Sequence, residues 1–343
     1  MKIKIIPSYI NFVQKNKFFY VFHFYLNKLL KINLYHKIEY DINFMIGEYE
    51  GWILEGIVNE IILYLPKNIT YTKTYNINCT KKSKKYFFVH YQMFHHFMVF
   101  GNTSINSSDC IIWFTHPNDF LNFKNKSLLY SLNKSKLILS TCTIWKNELI
   151  KNKILKPRIE VIIGGADEKM FYPYSNHLNE KVVLINTAFY ERKNPHLILE
   201  VIKLNPDLRF YILGKNWNKF SLYNELIECN NVNYIETKYN NYPTYYSKAK
   251  VFLSLSELEG GPIPLIEALM SNQIPVCSNT GFANDVIQDG VNGFIIEKDS
   301  LNPQNISQKL YNAFELSFDN RNYAINNFTW EIFSNKIIYQ IMK

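Results

Sequence analysis

The chain has 343 residues, which is long enough for two ordinary domains, each with its own core. Hydrophobic residues make up 47% and charged residues 20%, a composition that excludes a disordered chain. The net charge of +9 is not accompanied by a recognisable nucleic-acid-binding motif, so we expect no nucleic-acid partner. Five widely spaced cysteines indicate reduced thiols in a cytoplasmic protein.

Residues 1–40 form a basic, aromatic extension that is predicted to pack on the first domain or to be part of it. They contain seven lysines and one acid, Glu39. The aromatic run at 18–26 is far shorter than the roughly 20 apolar residues that span a bilayer. Lysines among aromatics favour peripheral contact with an anionic membrane. The alternative is an edge strand or a packing helix that is basic only because of the chain's general composition.

A first set of alternating strands and helices follows between residues 40 and 163. A buried strand ends at Gly47, and a helical pattern ends before Pro66. Such alternation predicts parallel pairing with crossover helices. The predicted strands are 40–46, 85–90, 109–115, 136–140 and 159–163, and the predicted helices are 52–65 and 144–152.

A second alternating set follows a polar, aperiodic stretch at 176–180, which we interpret as a linker. Two α/β halves joined once predict a ligand-binding cleft between them. The predicted strands are 181–185, 208–213, 232–235, 251–255, 274–277 and 293–296, and the predicted helices are 195–203, 242–249, 264–272 and 304–316.

The stretch from Glu259 to Glu267 has two carboxylates on either side of a Gly/Pro turn that opens into a helix. Strand, turn, helix and strand in this order describe half of a nucleotide-binding sheet, with the carboxylates at its ligand-binding edge. Backbone N–H groups of Gly260 and Gly261 would offer oriented donors to phosphates at the helix start near Pro264. The alternative is that each glutamate is a solvated acid favoured by the helix dipole.

From Leu137 to its end, the chain resembles the GT-B glycosyltransferases of family 4. The E-x7-E motif of that family is matched by Glu259 and Glu267. The other matching motifs are Gly164-Gly165-Ala166-Asp167 with Phe171 and Pro173, the run from Gly281 through Asp285 and Gly290 to Gly293, and Phe328-Thr329-Trp330. The first 130 residues match only loosely.

The resemblance implies an α/β fold of the GT-B type, in which two Rossmann-like domains with parallel sheets face each other across a cleft. Residues 41–175 would form the acceptor domain and 176–325 the nucleotide-sugar domain. Residues 326–343 would form a helix that returns to the first domain.

The activity implied by the resemblance is transfer of a hexose from a UDP- or GDP-sugar to a glycan or lipid-linked saccharide, with retention of anomeric configuration. Such a hexosyltransferase would act in cell-surface polysaccharide or glycolipid synthesis, in the cytoplasm or at the cytoplasmic face of a membrane, and we expect neither cofactor nor metal. The alternatives are a catalytically impaired GT-B binding or scaffold protein, and a nucleotide-sugar hydrolase or epimerase of the same fold.

The resemblance also assigns roles to residues. Catalytic roles fall to Glu259 at the donor sugar, His116 in the cleft and Lys193 at the diphosphate. Donor binding falls to Glu267, which would hold the ribose hydroxyls from the first helical turn, and to Gly260, Gly261, Pro262, Ile263, Gly214, Lys215 and Arg192. Candidate acceptor or phosphate contacts are Gly47, Glu48 and Tyr49. One family arginine is replaced by Ala188, and Arg192 or Lys215 are the candidates to substitute for it.

Overall fold

The computed structural model describes residues 7–31, 38–47, 53–101, 105–116, 122–173 and 181–343. The chain divides into two compact units, which we call unit 1 (Met1–Ile162 with Ser334–Lys343) and unit 2 (Ile163–Phe333). The chain therefore passes from unit 1 to unit 2 after Ile162, whereas the sequence had indicated that the first domain ends at residue 175. Glu48, Tyr49 and the proposed linker at 176–180 lie outside the described residues.

The described residues of unit 1 contain a parallel sheet with the strand order β2-β1-β3-β4-β5-β6. Its apolar strands are buried because helices cover a parallel sheet. The strands are β1 Tyr40–Met45, β2 Tyr71–Thr74, β3 Ser83–Phe88, β4 Cys110–Phe114, β5 Leu137–Ser140 and β6 Arg158–Val161. The helices are α1 Pro7–Lys15, α2 Lys17–Lys31, α3 Ile53–Leu63, α4 Tyr91–Phe100, α5 Lys126–Leu132 and α6 Thr143–Lys151.

Unit 1 confirms the predicted strands but ends the second one early. Strand β3 stops at Phe88 and not at residue 90, because His90 caps α4 by accepting a hydrogen bond at Nδ1 from the Gln92 backbone N–H at 3.2 Å. The sequence analysis missed β2, α4 and α5. It also left an edge strand open for residues 1–40, and this alternative is wrong, because residues 7–31 form the helices α1 and α2.

The described residues of unit 2 contain a second parallel sheet with the order β12-β11-β10-β7-β8-β9. Every strand predicted for this half is confirmed. The strands are β7 Val182–Asn186, β8 Arg209–Leu213, β9 Val232–Ile235, β10 Val251–Ser254, β11 Ile274–Ser278 and β12 Phe294–Ile296. The helices are α7 Pro195–Leu204, α8 Tyr223–Ile227, α9 Tyr242–Tyr246, α10 Ile263–Met270, α11 Ala283–Val286, α12 Pro303–Glu315 and α13 Asn320–Asn327.

The order of the strands in unit 2 reverses between β7 and β10. At such a switch point the loops after the two strands diverge, and the crevice beyond their carboxyl ends is where open α/β sheets bind ligands. The loop after β10 carries Glu259, and the loop after β7 carries Lys193.

The last helix is α14, Trp330–Met342. Its residues up to Phe333 group with unit 2 and its residues from Ser334 group with unit 1, where the Ser334 hydroxyl donates to the Glu60 carbonyl at 3.2 Å. Across the described parts of the chain, every helix is too short or too polar to cross a membrane.

Candidate functional site

Both carboxylates of the Glu259–Glu267 motif are buried. Glu259 is 7% exposed and Glu267 is 2% exposed. The alternative of two solvated acids at a helix start is therefore wrong. Glu267 is the fifth residue of α10, so it also lies one turn further into the helix than the first turn that the sequence indicated.

Glu259 lies between two cations. The Lys193 ammonium forms an ion pair with Oε1 of Glu259, and Nη1 of Arg192 lies 3.4 Å from Oε2. Burial opposes a charge on Glu259, but the two cations together lower the pKa of its carboxyl below the usual value. Burial also lowers the pKa of Lys193, although Glu259 opposes this change. Two positive charges against one negative leave the cluster suited to an additional anion.

The loops after β7 and β10 are joined by hydrogen bonds that set this geometry. The Asn194 side chain donates to the Leu255 carbonyl at 2.8 Å, and the Glu257 backbone N–H donates to the Arg192 carbonyl at 2.8 Å. Arg192 itself donates from Nη1 to the Leu258 carbonyl at 2.6 Å. The cations and the carboxylate are therefore held by the backbone and not by the ion pairs alone.

Gly281 is required where β11 leads into α11. Its φ is +57°, a value that disfavours other residues, and an added Cβ would lie 2.9 Å from Cβ of Glu259 and from Cδ of Pro262. The adjacent Thr280 hydroxyl accepts a hydrogen bond from the Glu259 backbone N–H at 2.9 Å. The start of the Gly281–Gly293 motif therefore packs directly against the loop after β10, which carries Glu259.

Glu267 is held by two tyrosines. The hydroxyls of Tyr239 and Tyr246 donate to its two carboxylate oxygens at 2.6 and 2.7 Å, and Tyr246 accepts in turn from the Asn186 side chain at 2.6 Å. Burial raises the pKa of Glu267 to about 6, although both hydroxyls lower it. Above that pH, Glu267 is a buried carboxylate with fixed orientation, next to the half-exposed ring of Tyr239.

The turn between the two glutamates leads directly into α10. Gly260 is buried, Gly261 and Pro262 are half-buried, and Ile263 is the first residue of the helix, with Pro262 at its cap position. The backbone N–H groups at this helix start therefore follow Glu259 directly in the chain.

The loop with Ala188 meets the loop with Gly214. The Phe189 backbone N–H donates to the Lys215 carbonyl at 2.9 Å, and an added Cβ at Gly214 would lie 2.1 Å from the Thr187 carbonyl oxygen. Lys215 is exposed. Of the two cations considered as substitutes for the arginine absent at Ala188, Arg192 is the one that joins the Glu259 cluster.

Two predicted site residues, His116 and Gly47, belong to unit 1. His116 follows β4 and lies close enough to His90 to lower the pKa of that residue, which burial and His116 together bring to about 4. Gly47 follows β1 with a φ of +73° and lines a pocket of about 490 Å³ with Gln14, Tyr75, His90, Met93 and six other residues. The sequence analysis did not find this pocket.

The sequence analysis also missed the tyrosines around Glu267. Tyr239, Tyr242 and Tyr246 are spaced by three and four residues. This spacing is typical of residues on one face of a helix, so it could have indicated that the three side chains lie near each other. The general abundance of tyrosine in the chain hid this signal. Among the described residues, no group of three or more His, Cys, Asp or Glu side chains is arranged to hold a metal ion.

The family model "Glycosyl transferases group 1" matches residues 150–329, which is slightly more than half of the chain and includes both glutamates, Lys193 and Arg192. The chain belongs to this family. The match begins near the end of unit 1 and covers nearly all of unit 2.

Two curated relatives support the assignment. An uncharacterized glycosyltransferase of Methanocaldococcus jannaschii is 25% identical over 204 residues, which is 57% of this chain and 56% of the relative. Spore coat protein SA of Bacillus subtilis is 24% identical over 214 residues, with a coverage of 51% and 56%. The chain therefore matches little more than half the length of these relatives.

Solved structures extend the similarity of fold to most of the chain. Anabaena HepE in complex with UDP and glucose has a TM-score of 0.68 at 12% identity, covering 89% of this chain and 100% of that one. Sucrose-phosphate synthase from Thermosynechococcus elongatus has a TM-score of 0.63 at 14% identity, with a coverage of 76% and 74%. These similarities confirm the predicted GT-B class, an α/β fold with two parallel sheets.

Proposed function

We propose that this protein is a hexosyltransferase that uses a UDP- or GDP-sugar and retains the anomeric configuration. The observation that carries the proposal is the buried carboxylate of Glu259 with its two cations, Lys193 and the partly exposed Arg192. This cluster is located at the switch point of the sheet and next in the chain to the turn that opens α10. The solved structure of HepE with UDP-glucose, a protein of the same fold, makes UDP-sugars the first donors to test.

In this proposal, Glu267 accepts hydrogen bonds from the ribose hydroxyls of the donor. Its carboxylate is fixed by Tyr239 and Tyr246, so its remaining lone pairs have a defined direction. At neutral pH this carboxylate is ionised in spite of its burial, and an ionised carboxylate is a strong hydrogen-bond acceptor. The two ribose hydroxyls would donate to it and replace the water that burial removes.

The diphosphate would bind to Lys193 and Arg192, with backbone N–H groups of Gly260 and Gly261 completing its environment. These cations would stabilise the negative charge that grows on the leaving group, which is why we propose transfer without a metal ion. Gly214 and Lys215, on the neighbouring loop, and Pro262 and Ile263, at the helix start, would line the rest of the donor site. Activity that survives a strong chelator would support this part of the proposal.

Glu259 would hold hydroxyls of the donor sugar and stabilise positive charge at the anomeric carbon. Because its carboxylate is paired with two cations, it is poorly suited to attack that carbon. We therefore propose departure and attack on the same face: the bond from the anomeric carbon to the phosphate oxygen breaks, the bond to the acceptor oxygen forms, and the acceptor proton passes to the leaving phosphate.

The acceptor, a glycan or lipid-linked saccharide, would bind in unit 1. The pocket of about 490 Å³ beside Gly47 is lined by polar side chains that suit hydroxyl groups, among them Gln14, Tyr75 and His90. Because Nδ1 of His90 accepts the cap hydrogen bond, the neutral imidazole has its proton on Nε2 and can donate to an acceptor oxygen. His116, next to His90, would act beside it. We propose that the protein works in the cytoplasm, at a membrane that residues 1–40 contact.

A thermal-shift comparison of UDP-, GDP- and ADP-sugars tests the donor, since a true donor stabilises the protein by mass action. Transfer to saccharide acceptors, followed by assignment of the product anomer by NMR, tests the reaction. A product of inverted configuration would reject the retaining mechanism.

A second candidate, a binding protein without turnover, is motivated by Ala188 in place of the family arginine. It predicts donor stabilisation with neither transfer nor hydrolysis. The position of Arg192 beside Glu259 favours the transferase. Products formed without any acceptor would instead indicate a hydrolase or an epimerase.

A further inference from the structure

The helices α1 and α2 form a hairpin that is fixed to unit 1 along one side. Tyr20 is fully buried, its ring stacks on His95 with centroids 4.4 Å apart, and its hydroxyl donates to the His95 carbonyl at 2.7 Å. The Gln14 carbonyl accepts from the Asn125 side chain at 3.2 Å. These contacts with α4 and α5 make the hairpin part of the unit and orient its other side.

The other side of the hairpin exposes large aromatic side chains. Phe18, Phe22 and Tyr25 recur at the spacing that places residues on one face of a helix, and they are 76%, 56% and 50% exposed. Phe12 and Phe19 extend this surface, with ring centroids 4.9 Å apart. We call these five residues the aromatic face. Single exposed apolar residues are normal, but a contiguous group marks an interaction site.

The charge around the aromatic face has one sign. Lys15, the last residue of α1, and Lys17, the first residue of α2, are both exposed, and the sequence has no acid before Glu39. Two copies of this hairpin placed face to face would bring like charges together, which disfavours a second copy as the occupant. A lipid bilayer suits this surface better, because its phosphates can contact the lysines and its apolar interior can accept the aromatic rings.

We propose that the aromatic face docks unit 1 onto an anionic lipid bilayer, with its rings at the level of the headgroups and Lys15 and Lys17 against lipid phosphates. Gln14, two residues from Phe12, lines the pocket beside Gly47. Docking would therefore place this pocket close to the lipid surface, where a lipid-linked acceptor would be found. Docking names the surface and the lipid class for the membrane contact that the proposed function gives to residues 1–40. The position of the pocket matters only if the protein is a transferase, whereas docking itself does not depend on that activity.

Cosedimentation of the full chain with vesicles, without donor or acceptor, tests the proposal. We expect binding to phosphatidylcholine vesicles that contain phosphatidylglycerol, and at least about tenfold weaker binding to phosphatidylcholine alone, since each lysine near the surface contributes about fivefold. Phe18→Ser with Phe22→Ser should weaken binding at least about tenfold through lost apolar burial. Lys15→Glu with Lys17→Glu should abolish the preference for anionic vesicles.

Leu155→Ser is the matched control, because Leu155 is 70% exposed in unit 1 outside the hairpin, and it should leave vesicle binding unchanged. A Phe18→Trp variant should show a blue shift of its added fluorescence on anionic vesicles, whereas a Leu155→Trp variant should not. The melting temperature of each variant, measured without nucleotide, shows whether the variant is folded and keeps this test independent of the transferase.

Three results would overturn the proposal. The first is a wild-type chain that does not sediment with anionic vesicles. The second is an equal loss of binding in the Leu155→Ser control. The third is self-association that the Phe18→Ser, Phe22→Ser variant abolishes while vesicle binding is absent, which would show that the aromatic face joins two copies of the chain.

Discussion

Replacing Glu267 with glutamine should stabilise the protein at neutral pH while it removes nucleotide binding. The pKa of Glu267 is raised from the ordinary 4.5 to about 6 by burial, a difference of about 1.5 units. At 1.36 kcal/mol per unit, the ionised carboxylate costs about 2 kcal/mol of folding free energy at neutral pH. Glutamine is close in shape and carries no charge. Its oxygen can accept from Tyr246, and its amide can donate to Tyr239.

The pH dependence follows from the sign of the shift. Because the folded pKa lies above the unfolded one, the penalty is complete above pH 6 and is lost as the pH falls through 6 to 4.5. The advantage of Glu267→Gln should therefore be about 2 kcal/mol at pH 7.5 and less than half of that at pH 5. For a unit of this size, about 2 kcal/mol corresponds to a rise of roughly 4–8 °C in the melting temperature.

Melting temperatures of both proteins at pH 7.5 and pH 5, with and without UDP, measure these effects together. We expect UDP to stabilise the wild type and to leave Glu267→Gln unchanged, since the ribose acceptor is lost. A variant that is less stable than the wild type at pH 7.5, or an advantage that is equal at both pH values, would refute the reasoning about the buried charge. Undiminished stabilisation by UDP would refute the ribose role.

Further substitutions test the rest of the proposed donor site. Lys193→Met removes a buried ion-pair partner and should lower the free energy of unfolding by about 3 kcal/mol, read from denaturation, whereas Arg192→Met should change stability by less than about 1 kcal/mol. Titration calorimetry should show that Arg192→Met weakens UDP binding by about ten- to a hundredfold, and unchanged affinity would remove Arg192 from the site. Tyr239→Phe should move the pH midpoint of UDP binding upward, because the Glu267 carboxylate loses a hydrogen-bond donor and its pKa rises. A loss of UDP affinity that is equal at every pH would indicate a merely structural role for Tyr239. Gly281→Ala should destabilise by about 1–3 kcal/mol more than Gly290→Ala, which has a similar φ but no neighbouring atom within 4 Å, and equal losses would contradict the steric argument.

Much of the fold could be predicted because its signals are local. Apolar runs such as 251–255 and 274–277 correspond closely to β10 and β11, since a strand buried on both faces needs continuous hydrophobic residues. The weak points were short or polar elements such as β2, Tyr71–Thr74, whose residues give no periodic signal. Helix α4 was missed because its aromatic residues resemble those of the strand β3 that precedes it.

The sequence by itself determined the parallel α/β architecture, the position of the two glutamates at a strand-to-helix turn, and the family. Each of these depends on residues close together in the chain. Only the tertiary structure decided that Arg192 and not Lys215 joins Lys193 at Glu259, and that Tyr239 and Tyr246 hold Glu267. Those partners come from loops after different strands, and the distance between such loops is set by strand order and packing, which spacing along the chain does not encode. Burial of the two carboxylates is likewise a property of the packed unit, and it is burial that sets their charge.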